Sequence, residues 1–324
     1  MIVIFKTLFM NRRFTFFILI SLAITALLPS CKKFEGSQTV PAYIRIDTMQ
    51  VQCEYWVYGA NTHKIIDAWV YIDDNIVGCY ELPATFPVLK EGEHKVAVYP
   101  GIARDGIRDL RAQYPFLAPY ERSSVNLVKD SMVSLRPVFH YYPVGNDENM
   151  HIWQEDFDRG TIKIQAVSPS DVEINLDNSP LAWHDPEGIY STYSAKLVLT
   201  SDTMEFRIAT EEFHTTGADD FKLPTTGAPC MLEMDYKCSD TCYVGLRYRM
   251  DYVVYNEPLV RLKPTGASGQ EPEKWNKIYI NIGPYLVDYE DSDYFQIYFS
   301  SWDPRNEGTQ YFYFDNFKLI YRDR

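Results

Sequence analysis

The 324-residue sequence has no G-x-S-x-G nucleophile elbow, no H-E-x-x-H zinc motif, no P-loop and no dinucleotide-binding glycine fingerprint. Its six histidines are scattered, with no pair at metal-ligand spacing. Adjacent carboxylates occur at Glu211-Glu212, Asp219-Asp220 and Glu290-Asp291. Glycoside hydrolysis needs two carboxyls at a fixed separation across a cleft, and adjacency in sequence does not supply that. These absences move the reading toward a non-catalytic protein and leave a glycan hydrolase or lyase as the third function. Basic residues are scarce too: 31 Lys and Arg stand against 44 Asp and Glu, for a net charge of −13. Such a chain has no electrostatic footing on nucleic acid and no basic patch for acidic lipid. The acidic residues are spread rather than run together, as on a solvated surface. After the N-terminal segment no apolar run reaches spanning length, and no helical period of useful length appears.

What is present begins at the N-terminus. Lys6, Arg12 and Arg13 precede the run FTFFILISLAITALLPSC, Phe14 to Cys31. Its apolar part, Phe14 to Leu28, is 15 residues long, against the roughly 20 that a spanning helix needs. A basic start, a short apolar stretch and small residues before a cysteine are the parts of a secretory signal. Leu28-Pro29-Ser30-Cys31 resembles the lipobox of bacterial lipoproteins, with Pro29 a departure from its commonest form. The resemblance implies cleavage before Cys31, several acyl chains on that residue and firm membrane attachment. The competing reading is a plain signal peptide with a coincidental cysteine. Residues 31–39 read as a lipidated cysteine and polar tether. Some Bacteroidota lipoproteins carry an acidic export signal there, but this tether has Lys32 and Lys33 and only Glu35. The expected location is the outer membrane, with the leaflet open. Loss of residues 1–30 removes three basic residues and no acidic ones, so the mature charge is 28 minus 44, or −16.

The remaining 294 residues suit two domains better than one. Their 25 Tyr favour half-buried strands. Pro and Gly fall between short apolar runs, the punctuation of an all-β protein. Cys53, Cys79, Cys230, Cys238 and Cys242 follow Cys31, an odd count that leaves at least one thiol free. Cys238 could face Cys242 across a loop, and Cys53 could join Cys79; buried free thiols are the equal alternative for both pairs. Cys230, Cys238 and Cys242 lack the C-x-x-C spacing and the adjacent histidine of a zinc site.

Residues 40–142 form the first expected domain. AWVYI (68–72) alternates, Asp73-Asp74-Asn75 turns, and Ile76-Val77-Gly78 returns. A proline-marked extended stretch (82–89) follows, and HKVAVY (94–99) alternates again, with His94, Val96 and Val98 on one face. Residues 99–120 read as a long irregular loop, and 133–142 as the closing strand. Val70, Asp73, Asp74, Gly78, Pro83, Gly92, His94, Val96 and Val98 resemble the pattern of PEGA-like and related Ig-like modules. That resemblance implies a spacer or binding platform, with His94 tucked against the sheet at the start of its strand. Residues 143–150 are the expected linker.

Residues 151–324 open with Ile152-Trp153-Gln154-Glu155-Asp156-Phe157-Asp158 and close with Phe314-Asp315-Asn316-Phe317-Lys318-Leu319. CMLEMDYK (230–237), YVGLRY (243–248), 277–282 and 294–300 read as further strands. Together these resemble carbohydrate-binding jelly rolls and the lectin-like sandwiches of Bacteroidota lipoproteins. In many of those, the first and last strands share a structural calcium, which makes Glu155, Asp158 and Asp315 the candidate ligands here. Only three carboxylates can be named against the six to eight oxygens calcium takes. A glycan platform would use Trp183, Trp275 and Trp302, which lie in or near expected loops.

The expected fold class is thus all-β, an Ig-like or PEGA-like sandwich followed by a jelly-roll β-sandwich. The leading expectation for function is a non-catalytic accessory or interaction lipoprotein of a cell-envelope assembly. It would be held to the membrane through Cys31, with an envelope protein as partner. A glycan-binding surface lipoprotein is the alternative.

Overall fold

A computed structural model describes residues 40–145, 150–186, 190–215, 221–304 and 308–322. The signal segment, Cys31 and the tether, half of the linker (146–149), Asp219 and Asp220 lie outside them. The chain is all-β, as its alternating pattern implies, and its only helices among the described residues are single turns at Tyr55–Tyr58 and Gly283–Asp288. Neither is long and apolar enough to cross a membrane.

In the N-terminal unit, β1 (Ala42–Ile46) lies between β5 (Ala84–Val88), antiparallel, and β9 (Met132–Leu135), parallel. Facing them, β3 (Asp67–Ile72) pairs with β4 (Asn75–Glu81) and with the twelve-residue β6 (Gly92–Ala103). On its other edge β6 carries β8 (Tyr120–Leu127) and β7 (Arg111–Gln113). Ile44, Ile46, Val70, Ile72, Phe86, Val96, Val98 and Leu127 close the core between these layers. The β3–β4 turn places Asp73 and Asp74 at φ 52° and 62°, the left-handed pair that a tight hairpin requires. Asp73 then anchors the neighbouring strand: its carboxylate accepts from Lys90 Nζ at 2.6 Å and meets His94 Nδ1 at 2.8 Å. These bonds, that of Lys90 foremost, hold Asp73 down to about 2. The segment expected to be a long loop is strand as far as Ala103, because β6 runs on to pair with β7.

The C-terminal part is a sandwich of two antiparallel sheets. In the first, β21 (Gln310–Arg322) is central, with β16 (Cys230–Cys238) and then β19 (Asn276–Asn281) on one side. Its other side takes β14 (Ser194–Leu199) along residues 310–314 and β11 (Met150–Glu155) along 317–322. Asn316, at φ 52°, lies between these two stretches, where the pairing with β16 also shifts register. Beyond β14 lies β13 (Asn175–Asp177). The second sheet runs β12 (Ile164–Ala166), β15 (Glu205–Thr210), β20 (Tyr294–Trp302), β17 (Cys242–Met250), β18 (Val253–Leu262). Leu197, Phe206, Leu232, Met234, Leu246, Phe295, Phe299, Phe312, Phe314 and Phe317 fill the space between the sheets.

The N-terminal unit packs on the outward face of the first sheet. Met231, Tyr279 and Ile320 of the sandwich belong to its core. Glu233, Lys277 and Lys318 are buried there as well. Glu233 accepts from the hydroxyls of Tyr114 and, at 2.9 Å, Tyr141, and its other oxygen is 3.1 Å from Lys277 Nζ. Lys318 Nζ donates to the Ala60 carbonyl at 2.7 Å and to Tyr141 Oη at 3.1 Å. Thr62 donates to Asp235 at 2.7 Å.

Candidate functional site

The two sheets dispose of their outward faces in opposite ways. Along β16, Cys230, Leu232, Met234, Tyr236 and Cys238 point into the sandwich, so Met231, Glu233, Asp235 and Lys237 point out. All nine residues are nevertheless buried. The N-terminal unit covers one end of that face, and the loop bearing Leu181, whose carbonyl accepts from Lys237 Nζ, covers the other. Among the described residues the second sheet is open at the end bearing Trp302 and Tyr243, while Gln296 and Tyr298 farther along it are buried. Val244, Leu246, Phe206, Ile208, Phe295, Ile297 and Phe299 enter the core. The alternate positions therefore form an outward face: Arg207 on β15, Gln296, Tyr298, Ser300 and Trp302 on β20, and Tyr243, Gly245 and Arg247 on β17.

Register sets these side chains in rows. Ser300 lies between Arg207 and Tyr243, and Tyr243 lies beside Arg261 of β18. One step up, Trp302 stands beside Glu205. One step down, Tyr298 lies between Ala209 and Gly245. The glycine is required at that place. A Cβ on Gly245 would come within 2.3 Å of Tyr298 Cε1 and 2.4 Å of the Glu257 carbonyl oxygen, so the tyrosine ring lies across bare backbone. Burial, foremost, pushes the Tyr298 hydroxyl up to about 12. Below it, Arg247 donates to Gln296, whose amide donates to the Thr210 carbonyl at 2.6 Å.

Trp302 is 66% exposed and Tyr243 41%. They border a cavity of about 210 Å³ with Asp240, Thr241, Arg261 and Asp303. The Ser239–Thr241 arch that joins β16 to β17 is fixed from three sides. Ser239 exchanges bonds with the Tyr311 backbone at 2.9 Å, Ser301 Oγ donates to the Thr241 carbonyl at 2.8 Å, and Arg261 donates to Thr241 Oγ1 at 3.2 Å. Asp303 accepts from Gln310 at 2.5 Å. The result is a solvent-facing indole and phenol beside preset hydroxyl, carboxylate and guanidinium groups. Such a surface can stack on the apolar face of a sugar ring and bond its hydroxyls.

The three candidate tryptophans are not brought together. Trp275 is half-buried on the covered sheet, its ring 5.2 Å from Lys237 Nζ and 6.3 Å from the Tyr313 ring. Trp183 is half-buried in the loop after β13, where its N–H donates to Ser194 Oγ at 2.8 Å. Trp302 alone lies on the open face. Tyr243, Arg207 and Arg261 were not singled out in the sequence. The available signal was parity: Tyr243 precedes the core residue Val244, so it had to point outward.

The carboxylates named for calcium are committed to the chain. The first and last strands of the sandwich do lie side by side, β11 against β21. But Glu155 accepts from the N–H groups of Phe157 at 2.7 Å and Lys163 at 2.5 Å. Asp158 takes Thr192 Oγ1 at 2.7 Å and the Thr192 N–H at 3.1 Å. Asp315 takes Ser194 Oγ and the Asn316 N–H, both at 2.6 Å, and burial pushes its carboxyl well up. Among the described residues no group of three or more His, Cys, Asp or Glu could hold a metal ion, so these side chains do not fit a calcium cage. The cysteines from Cys53 to Cys242 are free thiols.

Of three larger hollows, two have aromatic rings in their walls. One of about 770 Å³ contains Trp153, but that indole is buried and donates to Glu211 at 2.6 Å. The other, about 600 Å³, lies between the N-terminal unit and the sandwich, against Tyr55, Trp56 and Tyr190. There Tyr190 stacks on Tyr55 at 4.5 Å and Arg159 sits 5.2 Å above the Tyr55 ring, which covers Tyr55 and leaves Trp56 as the exposed ring.

No family model matches the chain, and no curated protein does. Solved structures match about half of the chain. A family 29 carbohydrate-binding module complexed with mannohexaose is 9% identical, over 53% of this chain and 92% of that one, with TM-score 0.31. A family 27 module of Caldicellulosiruptor saccharolyticus, also in complex with mannohexaose, is 12% identical over 52% and 96%, with TM-score 0.32. An adhesin domain of Lys-gingipain from Porphyromonas gingivalis is 11% identical over 52% and 97%, with TM-score 0.32. At such values no residue of the site can be matched to a counterpart.

Proposed function

We propose that the protein is a non-catalytic glycan-binding lipoprotein of the outer membrane, anchored through Cys31. The Ig-like or PEGA-like N-terminal unit acts as its stem and the jelly-roll sandwich as its binding module. One observation carries the reading. The sandwich face that the N-terminal unit leaves open presents Trp302, two-thirds exposed, beside Tyr243 and a fixed polar arch. A large apolar side chain left in water at a rigid site is the mark of a surface kept for a ligand.

The test is a glycan array on the full-length protein and on Trp302→Ala. Loss of the stacking indole should weaken binding by about ten- to a hundredfold, the 1.5–3 kcal/mol that burial of a large apolar side chain contributes. Equal binding by the variant would overturn the reading. Metabolic labelling with radioactive palmitate tests the anchor: label should enter the protein and be absent from Cys31→Ser.

The accessory reading keeps one observation in its favour. At the β17–β18 hairpin tip Tyr252 is 95% exposed and is followed by exposed Val253, Val254 and Tyr255. A protein partner seated there would protect these residues from oxidative footprinting in native membranes, and unchanged labelling would remove that reading.

A further inference from the structure

We infer that the ligand of the open face is anionic: a glycan chain bearing carboxylate or sulfate groups, gripped by Arg207 and Arg261 on either side of Tyr243. The inference rests on the glycan-binding reading and adds the class of sugar. The chain is strongly acidic, and half of the guanidinium groups of its described part have a carboxylate: Arg45, Arg104, Arg108, Arg111, Arg159 and Arg249 are ion-paired. Six described arginines form no such ion pair, Arg122, Arg136, Arg207, Arg247, Arg261 and Arg322, and three of them, Arg207, Arg247 and Arg261, lie together on this one sheet. Arg247 and Arg261 donate to neutral oxygens, those of Gln296 and Thr241. Arg207 Nε is buried with no hydrogen-bond partner, and a buried donor without an acceptor costs about 1–3 kcal/mol. A ligand oxygen would relieve that cost.

The geometry suits a chain rather than one small anion. Arg207, Ser300, Tyr243 and Arg261 occupy successive strands in one row. Strands lie about 4.8 Å apart, so the row is roughly 14 Å long at the backbone, with Trp302 about 7 Å above it. A planar guanidinium fork binds a carboxylate or sulfate through two parallel bonds. The small Ser300 leaves room between the forks, and the aromatic rings receive sugar faces. The carboxylates nearby are already engaged, Asp293 with Arg249 at 2.7 Å and Asp303 with Gln310. Glu205, beside Trp302, is the one acidic side chain on the rows themselves and should oppose an anionic ligand.

The test is titration of the full protein with polygalacturonate, heparin, neutral mannan and, as a polyanion that is not a sugar, polyglutamate. Binding to polygalacturonate or heparin, whichever charge source is preferred, should fall tenfold or more in Arg261→Gln and in Arg207→Gln. Arg261 is exposed, so its variant keeps the fold. Arg261→Lys should recover only part of the loss, and Glu205→Gln should bind more tightly than the parent. Mannan bound as tightly as the anionic glycans, with the Arg→Gln variants unaffected, would overturn the anionic inference and leave glycan binding standing. Polyglutamate bound as tightly as polygalacturonate, with Trp302→Ala unaffected, would overturn the glycan reading and leave the anion grip. Binding to none of the four would overturn both.

Discussion

Replacing Glu233 by Met should cost the protein about 3–5 kcal/mol. The carboxylate is wholly buried where the N-terminal unit meets the sandwich, and it faces Lys277 at 3.1 Å and two tyrosine hydroxyls. Burial pushes its carboxyl up, but the ammonium groups of Lys277 and then Lys318 outweigh that and hold it below the ordinary range. Methionine keeps the volume and removes the charge, so two buried ammonium groups must share Asp235, and Tyr114 loses its acceptor. Breaking a buried pair on one side only leaves an uncompensated charge, which gives the figure above. With a urea slope near 3 kcal/mol/M for a chain of this size, the unfolding midpoint should fall by about 1–1.7 M. The double variant Glu233→Met/Lys277→Met should recover much of the loss, because apolar replacement of both partners is close to neutral. A folded value below the unfolded one means the contribution is complete above the ordinary carboxyl range and lost as pH falls through the folded value. The gap between parent and variant should therefore narrow in acid. A single-variant loss under about 1 kcal/mol, or a double variant as unstable as the sum of the singles, would refute the reasoning.

Three further outcomes follow from other sites. Gly245→Ala should destabilise by about 1–3 kcal/mol, the usual cost of overpacking, and should also weaken glycan binding, because the new Cβ displaces the Tyr298 ring at 2.3 Å; a melting curve and a titration read the two effects. Lys237, buried beneath the Leu181 loop, is pulled down from 10.5 to about 8, chiefly by burial. The folded state then holds fewer protons than the unfolded one between those values, so stability should rise with pH from about 8 upward, by as much as about 3 kcal/mol in all. Chemical denaturation of the protein and of Lys237→Met at pH 7 and pH 9 checks the sign, and a parent that loses stability relative to the variant would contradict it. Millimolar calcium and EDTA should leave the melting temperature alike, since Glu155, Asp158 and Asp315 are committed to N–H and O–H donors. A rise of several degrees with calcium would show a ligand bound to the folded state.

The strands that the sequence made legible are those whose period-two pattern coincides with one buried face. AWVYI, HKVAVY and YVGLRY are of this kind, and they became β3, β6 and β17. CMLEMDYK was also readable as a strand, but its local pattern implied one wet face. Glu233 and Asp235 are buried by the N-terminal unit and Lys237 by the Leu181 loop, segments 56 to 173 positions away, and no window of eight residues contains this. The polar strands β8 (YERSSVNL) and β18 (VVYNEPLVRL) escaped notice for the opposite reason. They are mostly exposed, so apolar alternation is weak, and Pro258 reads as a breaker. Of the calcium candidates, the structure shows the pairing of β11 with β21 and the short loops whose N–H groups bond Glu155, neither of which an eight-residue window contains. The tryptophans failed as a set because a loop position does not say which sheet the loop folds over. The Leu181 loop and the segment holding Trp275 lie on the first sheet, whereas Trp302 ends a strand of the second.

That division of the two sheets links the parts of the molecule. A sandwich with both sheets open would have two faces available for a ligand. Here one face is taken up by a buried junction with the N-terminal unit, in which Glu233 and Lys318 of the sandwich bond Tyr114, Tyr141 and the Ala60 carbonyl across the boundary, with Lys277 beside Glu233. A junction of that kind is costly to separate, since buried charged groups would lose hydrogen-bond partners that the other unit supplies. The unit nearest the N-terminus is thereby fixed to one side of the sandwich, and the surface bearing Trp302, Tyr243, Arg207 and Arg261 is the opposite one. If Cys31 tethers the chain at that end, the rigid junction turns the binding face away from its own stem, where a polymeric ligand can lie along the sheet without meeting the N-terminal unit.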